Sequence, residues 1–385
     1  MPARPSRPAW AEIDLGAVRD NVRAIAATLH PPARVMAIVK ADAYGHGAPA
    51  VAREAVDAGA AALGVATADE GVQLRRAGIG GPILLLGYTS PEEADAAVAH
   101  DLSVTVFQTE VARALSRAAS RAGRRAKIHI KIDTGMGRIG VTPNEAVSVV
   151  REAVALDGIA LEGCFTHLAT ADEPDLGPAR AQLEIFHSVL RQLEAAGITL
   201  GFRHAANSAA VLALPESHLD LVRPGIALYG IPPAPHLAGR LPLRRAMRLR
   251  ARITHVKRVE PGTAIGYGRT YRAARATTIA TIPVGYADGY PRLLSGLGEV
   301  SLGGRRVPIA GRISMDQCMI DVGAAAVRVG DEVELWGEDV PVEDVAGRAH
   351  TIAYELLARV SRRVPRVFVR DGQVVGVRTL LTNDG

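Results

Sequence analysis

The 385-residue chain has only two cysteines, Cys164 and Cys318, standing far apart with no CxxC pair and no Cys/His cluster. Such spacing excludes a disulfide framework and gives a zinc site no ligands, so both are expected as free thiols in a reducing compartment and no metal is expected. Aromatic residues are scarce at 4%, and no basic stripe interleaved with aromatics accompanies the net charge of +5. The arginines are scattered through helical stretches beside glutamates, which argues against nucleic acid as a partner. No run approaches the ~20 apolar residues of a membrane span. The opening "MPARPSRPAWAEIDLG" carries arginines but no apolar segment of a secretory signal. These absences point to a cytoplasmic protein with no membrane partner.

What is present is a 48% hydrophobic content dominated by alanine, valine and leucine, residues whose small size suits close packing of helices on a sheet. The length is large for one core and suggests two domains. Short apolar runs alternate with alanine-rich amphipathic stretches: "VMAIVK" (35–40), "AALGVA" (61–66), "PILLLG" (82–87), "LSVTVF" (102–107), "KIHIKID" (127–133), "LEGCFTH" (161–167), "GFRHAA" (201–206) and "LDLV" (219–222). Eight such runs imply an α/β fold with a (β/α)8 barrel. After "RPGIALYGIPP" (223–233) the chain changes to short valine- and isoleucine-rich pieces between Gly, Asp and Pro turns, an antiparallel β signature. The expected domains are a barrel over 11–245 and a mainly antiparallel β domain over 246–385, with residues 1–10 packing on the latter and one late helix in 351–363.

Active sites of such barrels lie at the C-terminal ends of the strands. There the sequence places Lys40, Arg138 in "DTGMGRIG", His167, Ser208, and Arg223 with Gly225. Each has an ordinary reading beside it. Lys40 resembles a strand-edge gatekeeper, Ser208 a helix N-cap, Gly225 a turn residue, Arg138 a solvated cation and His167 a structural imidazole. Their convergence on one end favours a site. A lysine flanked by apolar residues is a candidate for Schiff-base chemistry, either attacking a carbonyl substrate directly or holding pyridoxal phosphate. The loops after strands seven and eight are the usual phosphate site of a barrel, and Ser208 with Gly225-Ile226 offers donors there, which favours the cofactor. Tyr44, four residues past the lysine, adds a phenolic donor.

"AIVKADAYGHG" closely resembles the lysine signature of the alanine racemase family. "KIDTGMGRIG", "NSAA", "RPGIALYG", "IGYGRTY", "PVGYADGY", "GRISMDQCMIDV" and "TIAYELL" resemble further family motifs in the family's order, from about Trp10 to Arg363. The resemblance implies racemisation of alanine with pyridoxal 5'-phosphate, supplying D-alanine for peptidoglycan. It makes Lys40 the lysine that carries the cofactor as an aldimine and one of two catalytic bases. Tyr267 would be the other base, acting from the partner subunit of a homodimer whose sites are shared; sequence alone does not choose it over Tyr271 or Tyr286. The resemblance assigns Tyr44, Ser208, Gly225, Ile226 and Tyr354 to the phosphate, and His167 to a chain linking Tyr267 to Arg223. Arg223 would donate to the pyridine nitrogen, where an always-cationic group keeps that nitrogen unprotonated. Arg138 would hold the substrate carboxylate, and Lys131 matches a lysine carried by some members as a carbamate. Met315 and Asp316 would approach the substrate, and Tyr286 and Tyr354 line its entrance. Ser314 stands where many members have cysteine, a departure that bears on inhibitor sensitivity and substrate fit rather than on the reaction. The rival readings are a broader or serine-preferring racemase and a non-catalytic carrier of the cofactor. Basic-amino-acid decarboxylases share the architecture but place a carboxylate where this chain has Arg223.

Overall fold

The computed structural model describes residues 6–382, so residues 1–5 of the N-terminal segment expected on the β domain lie outside the described residues. The chain divides into two compact units, one made of 17–43 and 48–244, the other of the N-terminal segment through Gly16, 44–47 and the residues from Arg245 onward.

Strand β1 (Ala9–Asp14) belongs to the second unit. The first unit holds β2 (Arg34–Ile38), β3 (Ala62–Val65), β4 (Ile83–Leu85), β5 (Ser103–Val106), β6 (Ala126–Lys131), β7 (Ile159–Phe165), β8 (Phe202–His204) and β9 (Leu221–Val222). All pair in parallel in the order β8-β7-β6-β5-β4-β3-β2-β9. The seam between β8 and β9 is drawn together by Asp220 N–H donating to the Arg203 carbonyl (3.0 Å), by a parallel bridge between Asn207 and Arg223, and by a two-pronged Arg203–Asp220 ion pair at 2.7 and 3.0 Å. This is the barrel expected from the eight apolar runs. Their continuous apolar character follows from burial on both faces of a parallel sheet: every residue of β3, β4 and β5 is buried. Close packing also needs small residues inside, and a Cβ on Gly64 of β3 would come within 2.5 Å of the Ile38 side chain.

The intervening helices face the sheet with one stripe. Thr109–Ala122 buries Val111, Ala112, Ala114, Leu115, Ala118 and Ala119, the three- and four-residue spacing of an amphipathic helix, and ends on Gly123 in the left-handed conformation.

The second unit is built from β10 (Met247–Arg252), β11 (His255–Val259), β12 (Ala264–Ile265), β13 (Tyr271–Arg272), β14 (Thr277–Ile282), β15 (Glu299–Leu302), β16 (Arg305–Pro308), β17 (Cys318–Gly323), β18 (Glu332–Trp336), β19 (Arg366–Arg370) and β20 (Gln373–Arg378). A seven-stranded sheet runs β16-β15-β18-β10-β1-β19-β20, beside a three-stranded sheet β11-β14-β17 and a β12-β13 ribbon. The pairing is antiparallel except for β1 with β19.

The helix expected over 351–363 is shorter, Ala353–Ala358, and a second one, Val342–Arg348, precedes it. The reason lies in Arg366, buried in this unit, whose guanidinium takes the carbonyls of Val360 (2.6 Å), Ser361 (2.6 Å) and Val364 (2.8 Å). Those carbonyls point at the arginine instead of continuing the helical ladder. Among the described residues no helix is long and apolar enough to cross a membrane.

Candidate active site

Lys40 follows β2 by two residues, at the C-terminal end of the barrel. The chain after it does something that short apolar sequences rarely do. Ala41, Asp42, Ala43 and Tyr44 all have positive φ, between 52° and 55°, so the lysine opens a left-handed turn of non-glycine residues. Such a turn persists only where its surroundings hold it. Within the barrel unit the Glu70 carboxylate takes the Ala41 N–H (2.7 Å) and the Ala66 N–H (2.7 Å), and Asp42 takes the Ala48 N–H (2.8 Å). Burial disfavours the Lys40 ammonium, Arg138 and Arg223 add to the effect, and Glu70 opposes it; the net result is a pKa below the ordinary lysine value.

Arg138 lies exposed in the loop after β6. Asp133 shapes that loop by accepting the Gly135 and Gly137 N–H groups at 3.0 and 3.1 Å, and Gly140 (φ 138°) closes it where a Cβ would meet the Asp133 nitrogen at 2.6 Å. Lys131, the last residue of β6, is almost wholly buried with its ammonium 5.7 Å from the centre of the Phe165 ring. Burial first, then Arg138 and Arg223, pull its pKa down to about 8. His167 is held well below the ordinary histidine value by burial and by Arg223, Lys131, Arg138 and Lys40. These groups therefore gather at one mouth. Their shared positive field calls for an anionic ligand.

Arg223 is 5% exposed and no carboxylate pairs with it among the described residues. Its guanidinium donates to the carbonyls of Thr166 (2.7 Å) and Ala205 (3.0 Å), to His204 Nδ1 (2.9 Å) and, at 3.3 Å, to His167 Nδ1. Its Nε–H and the second hydrogen of Nη1 have no partner among the described residues. Burial brings its pKa to about 9. Ser208 is not the N-cap of its helix. Asn207 is, accepting the N–H groups of Ala209 and Ala210, and Ser208 is the first helical residue. The Ser208 Oγ accepts the N–H of Gly225 (2.8 Å) and of Ala227 (3.3 Å). With both of these directed at its lone pairs, the hydroxyl proton is free to be donated outward. Between them the Ile226 N–H has no protein partner among the described residues.

The remaining expected residues lie in the second unit. Tyr44 and Tyr354 form a tilted ring pair with centroids 6.1 Å apart, and burial raises the Tyr44 phenol to about 12. Tyr286 N–H donates to the Ser314 carbonyl and Ala287 N–H to the Met315 carbonyl, so these two loops are joined. Asp316 pairs with Arg363 at 2.8 Å, and Arg363 also reaches the buried Asp288 at 2.7 Å. Tyr267 stands on a short turn with 72% of its surface exposed.

Sequence reading passed over several residues that this geometry makes prominent. Glu70 sits three residues after Thr67 in the spacing of a capping box, but its carboxylate goes to Ala41 and Ala66 instead of Thr67. His129, His204 and Glu162 show in sequence only as polar residues inside apolar strand runs.

The parallel barrel, its half-buried lysine and the cationic mouth around it have the make-up of a barrel enzyme suited to an anionic ligand. The chain belongs to the alanine racemase family: residues 13–233 match the family model "Alanine racemase, N-terminal domain" and 246–368 match "Alanine racemase, C-terminal domain". It is 50% identical to an alanine racemase of Desulforamulus reducens over 366 residues, covering 94% of this chain and 99% of that one. It is 51% identical to one of Symbiobacterium thermophilum over 367 residues, covering 94% and 97%. Among solved structures, alanine racemase from Clostridium difficile 630 superposes with a TM-score of 0.95 at 40% identity, covering 98% of this chain and all of that one. The Bacillus anthracis alanine racemase with bound L-Ala-P gives 0.93 at 39% identity, covering 98% and 99%.

Proposed function

We propose that the protein interconverts L- and D-alanine with pyridoxal 5'-phosphate, in the cytoplasm, as a homodimer that shares its active sites and supplies D-alanine for peptidoglycan. The observation that carries this reading is the set of donors at the barrel mouth: a lysine of lowered pKa, an Arg223 Nε–H without a partner, and the Ser208 hydroxyl beside the Ile226 N–H. They match in kind an aldehyde, a ring nitrogen that accepts, and a phosphate. Bound there, the cofactor supplies an electron sink that acidifies the substrate α-proton.

The chain's own residues divide the remaining work. Lys40, its ammonium disfavoured by burial and neighbouring cations, has the amine needed both to hold the cofactor and to take or return a proton on one face. Arg223 holds the ring nitrogen as an acceptor. Ser208, Gly225 and Ile226 bind the phosphate, and the family pattern adds Tyr44 and Tyr354. Arg138 binds the substrate carboxylate with a guanidinium fork. Tyr267, exposed on its own chain, serves the opposite face of the partner's site, and Met315, Asp316 and Tyr286 line the approach. Lys131 has a sizeable neutral fraction near neutral pH and reacts in that form with carbon dioxide; the carbamate would replace one of four crowded cations with an anion beside Arg138.

Proton NMR of the cofactor-loaded protein with L-alanine in D2O, followed by chiral analysis, tests the reading. Loss of the α-proton signal with formation of D-alanine is expected. Exchange without inversion would remove Tyr267 from its role, and absence of exchange would refute the racemase reading.

A further inference from the structure

Arg223 is a buried cation with neutral acceptors around it, and its nearest anion along a hydrogen-bonded path is two imidazoles away. Arginine only donates, so His204 Nδ1, 2.9 Å from Arg223, must accept. His204 then carries its proton on Nε2, which lies 2.9 Å from His129 Nδ1. His129 Nδ1 must accept in turn, which leaves its Nε2–H to donate to the Glu162 carboxylate at 3.3 Å. The Ser103 hydroxyl donates to the same carboxylate oxygen. The direction of every proton in the chain is therefore settled by its two ends, a guanidinium that only donates and a carboxylate that only accepts.

The path runs through the barrel interior. His204 is fully buried and stacks on Phe165, ring centroids 4.7 Å apart, while His129 meets it edge-on. The barrel makes room for the path: a Cβ on Gly163 would stand 2.4 Å from His129 Nδ1. Glu162 lines a small cavity of about 70 Å³ with Arg34, Ala62, Pro82, Ser103 and Phe202, residues at or near the N-terminal ends of the strands and thus opposite the mouth. A charge at that end of a barrel ordinarily serves stability, but here the carboxylate is wired to the arginine.

We propose that Glu162 is a positioning residue for Arg223, acting through His129 and His204: its carboxylate locks both imidazoles as neutral Nε2–H tautomers, so that the guanidinium always meets a lone pair at His204 and keeps its Nε–H aimed at the mouth. If Glu162 became a donor the chain could reverse. His204 would then present an Nδ1–H to the Arg223 N–H, and the arginine would lose one of its four acceptors. Burial disfavours charge on Glu162, but the hydrogen bonds from His129 and Ser103 and the field of Lys127 outweigh it and hold the pKa below the ordinary glutamate value. Burial and Arg223 hold His204 well below the ordinary histidine value, in keeping with a neutral ring.

The consequence for turnover rests on the racemase reading; the tautomers do not. Long-range proton–nitrogen spectra of the full chain with 15N-labelled histidine, taken without cofactor and with pyridoxal phosphate, should show both His129 and His204 as Nε2–H tautomers. In Glu162→Gln, whose carboxamide donates as well as accepts, a second tautomer should appear at His204 and kcat should fall on the order of 10-fold with KM changed less, as for a lost positioning contact. Glu162→Asp, which restores an anion but not its reach, should recover part of the tautomer order. An Nδ1–H or doubly protonated His204 in the unsubstituted protein would overturn the proposal. So would unchanged tautomers in Glu162→Gln, whatever kcat does, or altered tautomers with kcat intact. Absence of D-alanine formation by the unsubstituted protein, with the tautomers as expected, would instead refute the racemase reading.

Discussion

Lys131 is a buried cation among cations, and this has a thermodynamic signature. Its pKa is about 8 in the folded chain and near 10.4 when unfolded. Between those values the unfolded chain holds a proton that the folded chain does not, so stability contributed by this group rises with pH through the window and its cost is complete below about 8. In cofactor-free protein and CO2-free buffer, the stability of the unsubstituted chain should gain on that of Lys131→Met by on the order of 3 kcal/mol between pH 8 and 10.5. Urea unfolding at several pH values reads this directly, and parallel curves would show that Lys131 is not charged in the way its surroundings imply. The same crowding is what a carbamate would relieve, so adding 13C-bicarbonate at neutral pH should produce a carbamate carbon signal that Lys131→Met lacks.

At the scale of the element, the left-handed turn after Lys40 decides where that lysine stands. Four successive residues at φ of 52–55° are unfavourable for side chains with a Cβ, and the Glu70 carboxylate is the group that receives the turn's first N–H. Glu70→Ala leaves the Ala41 and Ala66 N–H groups without their acceptor and is expected to cost about 1–3 kcal/mol in urea unfolding. Activity should fall more than stability accounts for, since the released strain moves the lysine. Thr67→Ala, which loses only the cap of the same helix, should cost about 1 kcal/mol and spare turnover. Equal losses of activity in the two variants would mean that the turn does not depend on Glu70.

For the whole molecule, the exposed side chains of the second unit are the informative ones. Tyr267 and Met315 are each more than half exposed and Tyr286 is 41% exposed, unusual for large apolar groups, and the family resemblance assigns all three to the site or its approach. The proposed shared homodimer would account for them: one chain's exposed tyrosine would serve as the other chain's base. Lys40→Ala and Tyr267→Phe proteins should each be inactive alone. Unfolded together and refolded, they should recover about a quarter of full activity, since half of the random dimers are mixed and each mixed dimer holds one intact site. No recovery, with mixed dimers demonstrated by mass spectrometry, would place Tyr267 on the same chain as its lysine.

The sequence by itself determined the barrel, because a strand buried on both faces must be apolar throughout and eight such runs are visible in order. The residues expected at the mouth were also legible, since the C-terminal ends of the runs can be counted, and the family motifs supplied the roles proposed for them. Tertiary structure alone decided the rest. The end of the helix at Ala358 depends on Arg366, which collects carbonyls that no local propensity would remove from the helix. Asn207 rather than Ser208 caps its helix because Ser208 is already engaged by Gly225 and Ala227, close to it only once the barrel has closed. The path from Arg223 to Glu162 joins residues on three strands and the loop beyond β9, and its direction follows from which atom faces which across the barrel. Sequence carries residue types and spacing along one line; hydrogen-bond direction depends on distances between lines that only folding brings together.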